Sequence, residues 1–299
     1  MAALDLKHPH DSDEDGRGLE GDLKLLRALT GRRRVLGLLA AAGFVPLLAC
    51  GSDAKNTSTS GGDGDGDGDG DGDGDGDVTS GGDGDAGSGS GSCETIPEET
   101  AGPYPGDGSN GPNALLLSGI VRSDITSSIA GATGVADGVP LKVTLTIVNT
   151  ADGCRPLAGY AVYLWHCDRA GNYSMYGLPN ENYLRGVQEA DDQGRLTFET
   201  IFPGCYSGRM PHMHFEIYAG LDQAQQVKNK LATSQLTFPT ETCDTVYASD
   251  GYEQSVKNLA QISFAKDMVF SDGYQLQLSN VSGSVEAGYT AELTVAIDA

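Results

Sequence analysis

The chain has 299 residues, a formal net charge of -23 at pH 7 and 43 glycines. So acidic a composition argues against nucleic acid as a partner, because a phosphate backbone is held by lysine and arginine. The totals are spread unevenly, and residues 1–49, 50–92 and 93–299 differ enough to be read separately.

The first stretch ends in "TGRRRVLGLLAAAGFVPLLACGS", an arginine cluster followed by an apolar run from Val35 to Ala49 and then a cysteine. That run is too short for a spanning helix. Arg32 and Arg33, followed by Arg34, Val35 and Leu36, resemble a twin-arginine export signal, and Leu47-Leu48-Ala49-Cys50 resembles a bacterial lipobox. The expectation is an exported bacterial lipoprotein of the cell envelope, cleaved before Cys50 and held at the membrane by lipid on that thiol. A basic amphipathic helix or a buried core helix accounts for the arginines or for the apolar run, but not for the cysteine that ends it.

Residues 50–92 contain "GGDGDGDGDGDGDGDGDVTSGGDGDAGSGSGS", with ten aspartates between Asp63 and Asp85 and no facing positive charge. Such a tract cannot seed a core and is expected to be a disordered linker. The 42 residues from 51 to 92 form a Gly-rich coil with a mean reach of about 30–40 Å. Calcium-binding β-roll repeats also use Gly-Asp pairs, but they need an apolar residue at a fixed place in each repeat, which is missing here.

Residues 93–299 carry 11 Lys and Arg against 24 Asp and Glu and are long enough for one domain with a substantial core. From Ala114 onward short apolar or alternating runs are broken by Gly, Asp and Asn. In chain order they are "LLLSGIV", "LKVTLTIV", "YAVYLW", "LTFETI", "MHFEIY", "SQLTF", "YQLQLSNV" and "AELTVAI". Enriched in Val, Ile, Thr, Tyr and Phe, they predict an all-β sandwich with long connecting loops. One helix is predicted in a connection, over residues 221–232. "CRPLAGYAVYLW" and "ADDQGRLTFETIFPGCY" also match the generic pattern of prealbumin-like modules, in which a Pro-Gly-x-Tyr turn is routine. Beyond Cys50, an odd set of five cysteines remains, and in an oxidising compartment Cys154 and Cys167, which flank one predicted strand, are the expected disulfide pair.

The stretch "PGCYSGRMPHMHFEI", residues 203–217, raises the question of chemistry. In an extended strand His212 and His214 project to one face while Met213, Phe215 and Ile217 project to the other. Two imidazoles side by side on one face point to a metal. No Asp, Glu or Cys stands nearby at a convincing spacing, whereas tyrosines do: Tyr206, and Tyr173 and Tyr176 in "WHCDRAGNYSMYG". Phenolate is a hard anionic ligand suited to ferric iron, while zinc and copper are usually completed by imidazole, thiolate or carboxylate.

With "ETAGPYP", "WHCDRAGNYS", "YLRGVQEADDQGRLTFETIFPGCY", "GRMPHMHF" and "TSQLTF", the sequence resembles the intradiol ring-cleavage dioxygenases, particularly exported relatives of the protocatechuate 3,4-dioxygenase type. Tyr173 stands eight residues after Trp165 and Arg209 three before His212, as in that family. The resemblance implies one Fe(III) per chain held by Tyr173, Tyr206, His212 and His214, with a small aromatic diol and O2 as substrates. It further implies that Tyr206 leaves the metal on substrate binding and takes a proton, that Arg209 steadies the anionic ring, and that Gln235 lines the pocket. No organic cofactor is implied, and a homo-oligomer is compatible with this reading. Cys205 stands where exported relatives usually have Trp, and the Tyr206–His212 spacing is shorter than in protocatechuate enzymes. Two other classes remain: a non-catalytic surface module that binds a partner or glycan, and a copper- or zinc-binding His-x-His protein.

Overall fold

A computed structural model of the chain describes residues 93–299. The expected signal segment (1–49), the Cys50 lipidation site and the linker (50–92) lie outside the described residues. Among the described residues no helix is long and apolar enough to cross a membrane.

Strand β1 (Pro140–Asn149) is the spine of one sheet. Leu141, Val143, Leu145 and Ile147 alternate into the core while Lys142 is exposed, the period-two pattern of a strand with one buried face. One edge of β1 pairs antiparallel with β2 (Arg155–Pro156) and β5 (Arg195–Ile201), and the other runs parallel to β9 (Gly288–Ile297), which carries β8 (Asn280–Ser284) outside it. The second sheet is antiparallel, in the order β4 (Arg185–Glu189), β3 (Ala161–Trp165), β6 (His212–Tyr218), β7 (Ala232–Thr237). Val143, Leu145, Phe198 and Val295 of the first sheet share one cluster with Val162, Leu164, Met213, Phe215 and Ile217 of the second. Helices α1 (Thr240–Tyr247) and α2 (Glu253–Leu259) add Val246, Tyr247 and Leu259 to that cluster beside Phe202 and Phe238.

The second sheet buries its outer face too, which is why all seven residues of β6 are buried. Trp165, Tyr163 and Tyr218 there belong to a separate cluster with Leu115, Ile120 and Tyr173. An extended strap, residues 97–107, crosses this face. It is tied down by Glu99 N–H to the Thr233 carbonyl (2.7 Å), Ser234 Oγ to the Pro97 carbonyl (2.7 Å) and Tyr163 hydroxyl to the Pro105 carbonyl (2.8 Å). Fully buried Arg185 fixes the same strap and the next loop by donating to the carbonyls of Pro105, Tyr104 and Ser174.

The all-β architecture is as the periodicity predicts, with three corrections. Residues 221–232 form turns and a short 3-10 segment at Val227–Asn229, not a helix. They join β6 to its antiparallel neighbour β7; strand ends about 5 Å apart cannot be bridged by a 12-residue helix of about 18 Å without further chain. "LLLSGIV" is a 3-10 turn at Ala114–Leu116 started by the Asn113 side chain, and "YQLQLSNV" is extended only from Asn280 onward. Finally, Cys154 is bonded to Cys93, with Cα atoms 5.7 Å apart, and not to Cys167. Residues that flank a five-residue strand lie at its opposite ends, about 17 Å apart, whereas a disulfide needs Cα atoms within about 7 Å. Cys167, Cys205 and Cys243 are free and buried.

Candidate metal centre

The outer face of β6 brings two histidines into the space under the strap. His212 donates from Nδ1 to the Met210 carbonyl at 2.6 Å, which leaves the Nε2 lone pair facing the cluster. His214 Nε2 is 3.2 Å from His212 Nε2, and its ring lies flat on Trp165, with centroids 5.0 Å apart. Gly102 of the strap permits that packing, since a Cβ there would stand 3.2 Å from His214 Cε1.

Two loops add the tyrosines. The loop after β3 is folded by Asp168, whose side chain accepts from Ala170 and Asn172 N–H, and it delivers Tyr173. The Pro203-Gly204-Cys205-Tyr206 turn lies against this loop, with Gly204 N–H bonded to the Asp168 carbonyl at 3.0 Å. A Cβ at Gly204 would meet the Arg169 and Asp168 carbonyl oxygens at 2.6 and 2.8 Å, so only glycine allows this approach. From the other side α2 holds the turn: Cys205 N–H donates to Ser255 Oγ and Asn258 Nδ2 donates to the Cys205 carbonyl. Cys205 itself points into the main core.

The result is a convergence of donors. The Tyr206 hydroxyl is 3.1 Å from His212 Nε2, and the Tyr173 ring stands 6.0 Å from that of Tyr206 and 6.3 Å from that of His214. The Tyr173 hydroxyl and His214 Nδ1 are buried with no hydrogen-bond partner. Burial, reinforced by the charge of Arg209, pushes both imidazoles well below the ordinary histidine range and keeps them neutral. Burial also pushes the Tyr173 hydroxyl well above the ordinary tyrosine range, with Tyr206 adding to the effect, and raises Tyr206 against the opposing pull of Arg209.

These residues fit a metal ion. Ligand atoms about 2.0–2.1 Å from one ion, at angles of roughly 90–110°, stand about 3.0–3.4 Å apart; the observed 3.1 and 3.2 Å separations lie in that range. A buried phenol with no partner is costly unless something absent from the protein atoms satisfies it. Tyr176 does not join the set; its hydroxyl accepts from Gly106 N–H and its ring packs on Tyr104. Tyr104 in turn lies 5.2 Å from Tyr173, so the Pro103-Tyr104 stretch walls the site.

Beside the donors lies a polar frame. Buried Arg209 donates from Nη2 to Gln235 Oε1 (2.6 Å), and its Nη1 is 3.5 Å from His212 Nε2. Gln235 sits opposite His214 on β7 and donates to the Thr100 carbonyl at 2.8 Å. Asp267, which sequence reasoning missed, accepts from Arg209 Nε at 3.1 and 3.0 Å. Nothing in "FAKDMVF" marks that aspartate as different from a surface one. His166, the histidine next to Trp165, stays outside the cluster, bonded to Thr200 and the Cys167 carbonyl.

Residues 123–259, which include Tyr173, Tyr206, Arg209, His212, His214 and Gln235, match the family model described as Dioxygenase. An intradiol ring-cleavage dioxygenase from Tetranychus urticae is similar at 27% identity over 69% of this chain and 95% of its own, with a TM-score of 0.55. A second solved dioxygenase is similar at 26% identity over 69% and 95%, also with a TM-score of 0.55. The dioxygenase domain of a carbohydrate-binding fusion from the bacterium Streptomyces sp. SirexAA-E is similar at 24% identity over 69% and 99%, with a TM-score of 0.43. No curated protein matches. The matched stretch thus carries the pattern of a dioxygenase family on an all-β fold. More particularly, the chain is similar in sequence and fold to intradiol ring-cleavage dioxygenases.

Proposed function

We propose that this chain is an Fe(III)-dependent intradiol dioxygenase that opens a catechol-type ring between its two hydroxyl-bearing carbons. Catechol plus O2 balances as a cis,cis-muconate-type diacid, with both oxygen atoms retained and no external reductant. The single observation that carries this reading is the convergence of Tyr173, Tyr206, His212 and His214 with a buried, unpartnered phenol among them. Two neutral nitrogens and two ionisable hard oxygens select ferric iron over zinc or copper. The ion supplies Lewis acidity toward the diol when bound.

The chain's own groups then divide the work. Tyr173 is buried and Tyr206 partly exposed, so Tyr206 is the phenol free to swing out and accept a diol proton. Arg209 faces the space beside His212 and holds positive charge against the anionic ring. The Tyr104 and Tyr173 rings provide an apolar wall for an aromatic substrate.

Export and lipid anchoring through Cys50 belong to the same proposal. The Cys93–Cys154 disulfide accords with an oxidising compartment. The test is metal analysis of the purified protein, its visible phenolate-to-iron band, and oxygen uptake across catechol, protocatechuate and hydroxyquinol. Stoichiometric iron and O2 consumption matched by ring-opened product are expected; copper or zinc in place of iron, or a metal-free inert protein, would overturn it.

A further inference from the structure

We propose that Asp267 is a positioning residue for this site, orienting Arg209 and the backbone that fixes His212; the claim rests on the dioxygenase reading above. Asp267 is fully buried and follows the 3-10 turn at Phe264–Lys266. Its carboxylate accepts two bonds from Arg209 Nε, one from Met210 N–H at 2.5 Å, and others from Val269 N–H (2.8 Å) and Phe270 N–H (3.2 Å).

Each bond has a consequence at the donor cluster. A free arginine samples many rotamers, but here Asp267 holds Nε, Gln235 holds Nη2 and the Phe270 ring lies 5.7 Å from Cζ, so Nη1 has one direction left. That direction is toward His212 Nε2. Asp267 also pins the Met210 backbone, and the Met210 carbonyl is the acceptor that sets the His212 tautomer. Asp267 lies beyond residues 123–259 of the matched stretch, between two short 3-10 turns at Phe264–Lys266 and Phe270–Asp272.

The test has two arms, and the first needs no turnover. In the metal-free protein the Arg209 Nε–H proton resonance, identified by its loss in R209K, should exchange slowly and should exchange at least about tenfold faster in Asp267→Asn. In the iron-loaded enzyme, Asp267→Asn should retain iron yet lose about 10–100-fold in kcat per bound iron, with KM for catechol changed less than about threefold. A merely structural role would instead lower the folded, iron-loaded fraction and leave kcat per iron alone. If iron-loaded parent enzyme does not turn over any diol, the dioxygenase reading fails and the exchange arm alone decides the positioning claim. Unchanged exchange in Asp267→Asn, or kcat per iron within about twofold of the parent, overturns it. Should the variant fail to fold, fast exchange of the Arg209 resonance in the parent itself is the overturning result.

Discussion

The two faces of β6 set the terms for the whole molecule. Met213, Phe215 and Ile217 enter a cluster closed by packing, in which no contact depends on direction. His212, His214 and Glu216 enter a space closed by the strap and loops, where the contacts are directional and His214 Nδ1 has no hydrogen-bond partner. One strand thus separates stability from chemistry by alternation alone. Damage to the first face should appear in unfolding, and damage to the second in metal content and rate.

The largest effect expected is on iron. His214→Ala and Tyr173→Phe should each reduce iron affinity by more than the roughly 10–100-fold that follows loss of a mere hydrogen-bond partner of a ligand, and should abolish ring opening. Phe215→Ala, on the opposite face of the same strand, should instead lower stability by about 3–5 kcal/mol while folded molecules keep their iron. Metal analysis together with denaturant unfolding separates the two. Oxygen uptake by an iron-free His214→Ala protein would break the division.

Next comes a change of rate without a change of metal. Arg209→Ala should keep iron and lose about 10²–10³ in kcat, the usual range for removing a fixed donor from developing negative charge. Single-turnover kinetics with catechol would check it. The effect sharpens the comparison, since Arg209 lies within the polar face yet supplies none of the converging ligand atoms.

Much of the polar face was legible because its signals are local. The period of two in "HMHFEI" aligns the histidines, and the Trp165-to-Tyr173 interval and the Arg209-to-His212 interval are short enough to survive as spacing. Asp267 was not legible, being brought to Arg209 only by the path of the chain after α2. The Cys93–Cys154 bond escaped for a similar reason, as it joins the segment just before the strap to the turn that follows β1, 61 residues on. Helix α1 carries no start signal: Pro239 occupies its N-cap and no side chain caps it.

A smaller, separable effect belongs to the strap's anchor. Replacing Cys93 and Cys154 by serine should cost about 2–5 kcal/mol of stability, read as a lower denaturant midpoint. Iron per folded molecule should stay the same, because Glu99, Pro97 and Pro105 still tie the strap to the sheet beyond the bridge. Iron loss in step with reduction would instead show that the outer face has no stability of its own.

The smallest effect tests a histidine that shares burial with the ligands but not their convergence. His166 donates from Nδ1 to the Cys167 carbonyl and accepts the Thr200 hydroxyl at Nε2; burial, aided by the charge of Arg185, pushes it down to about 4. Its unfolded value is near 6.5. Between those two values the unfolded chain binds a proton that the folded chain refuses, so stability is fully present above about pH 6.5 and declines as pH falls toward 4. His166→Gln should remove one proton from that slope, about 1.4 kcal/mol per pH unit, in metal-free protein followed by denaturant unfolding. At pH 7.5 the same variant should bind iron like its parent, because the ring it loses faces Thr200 and not the donors under the strap. An unchanged slope would mean that the buried imidazole is solvated on its Thr200 side, and that the boundary between the packed and the polar regions lies elsewhere.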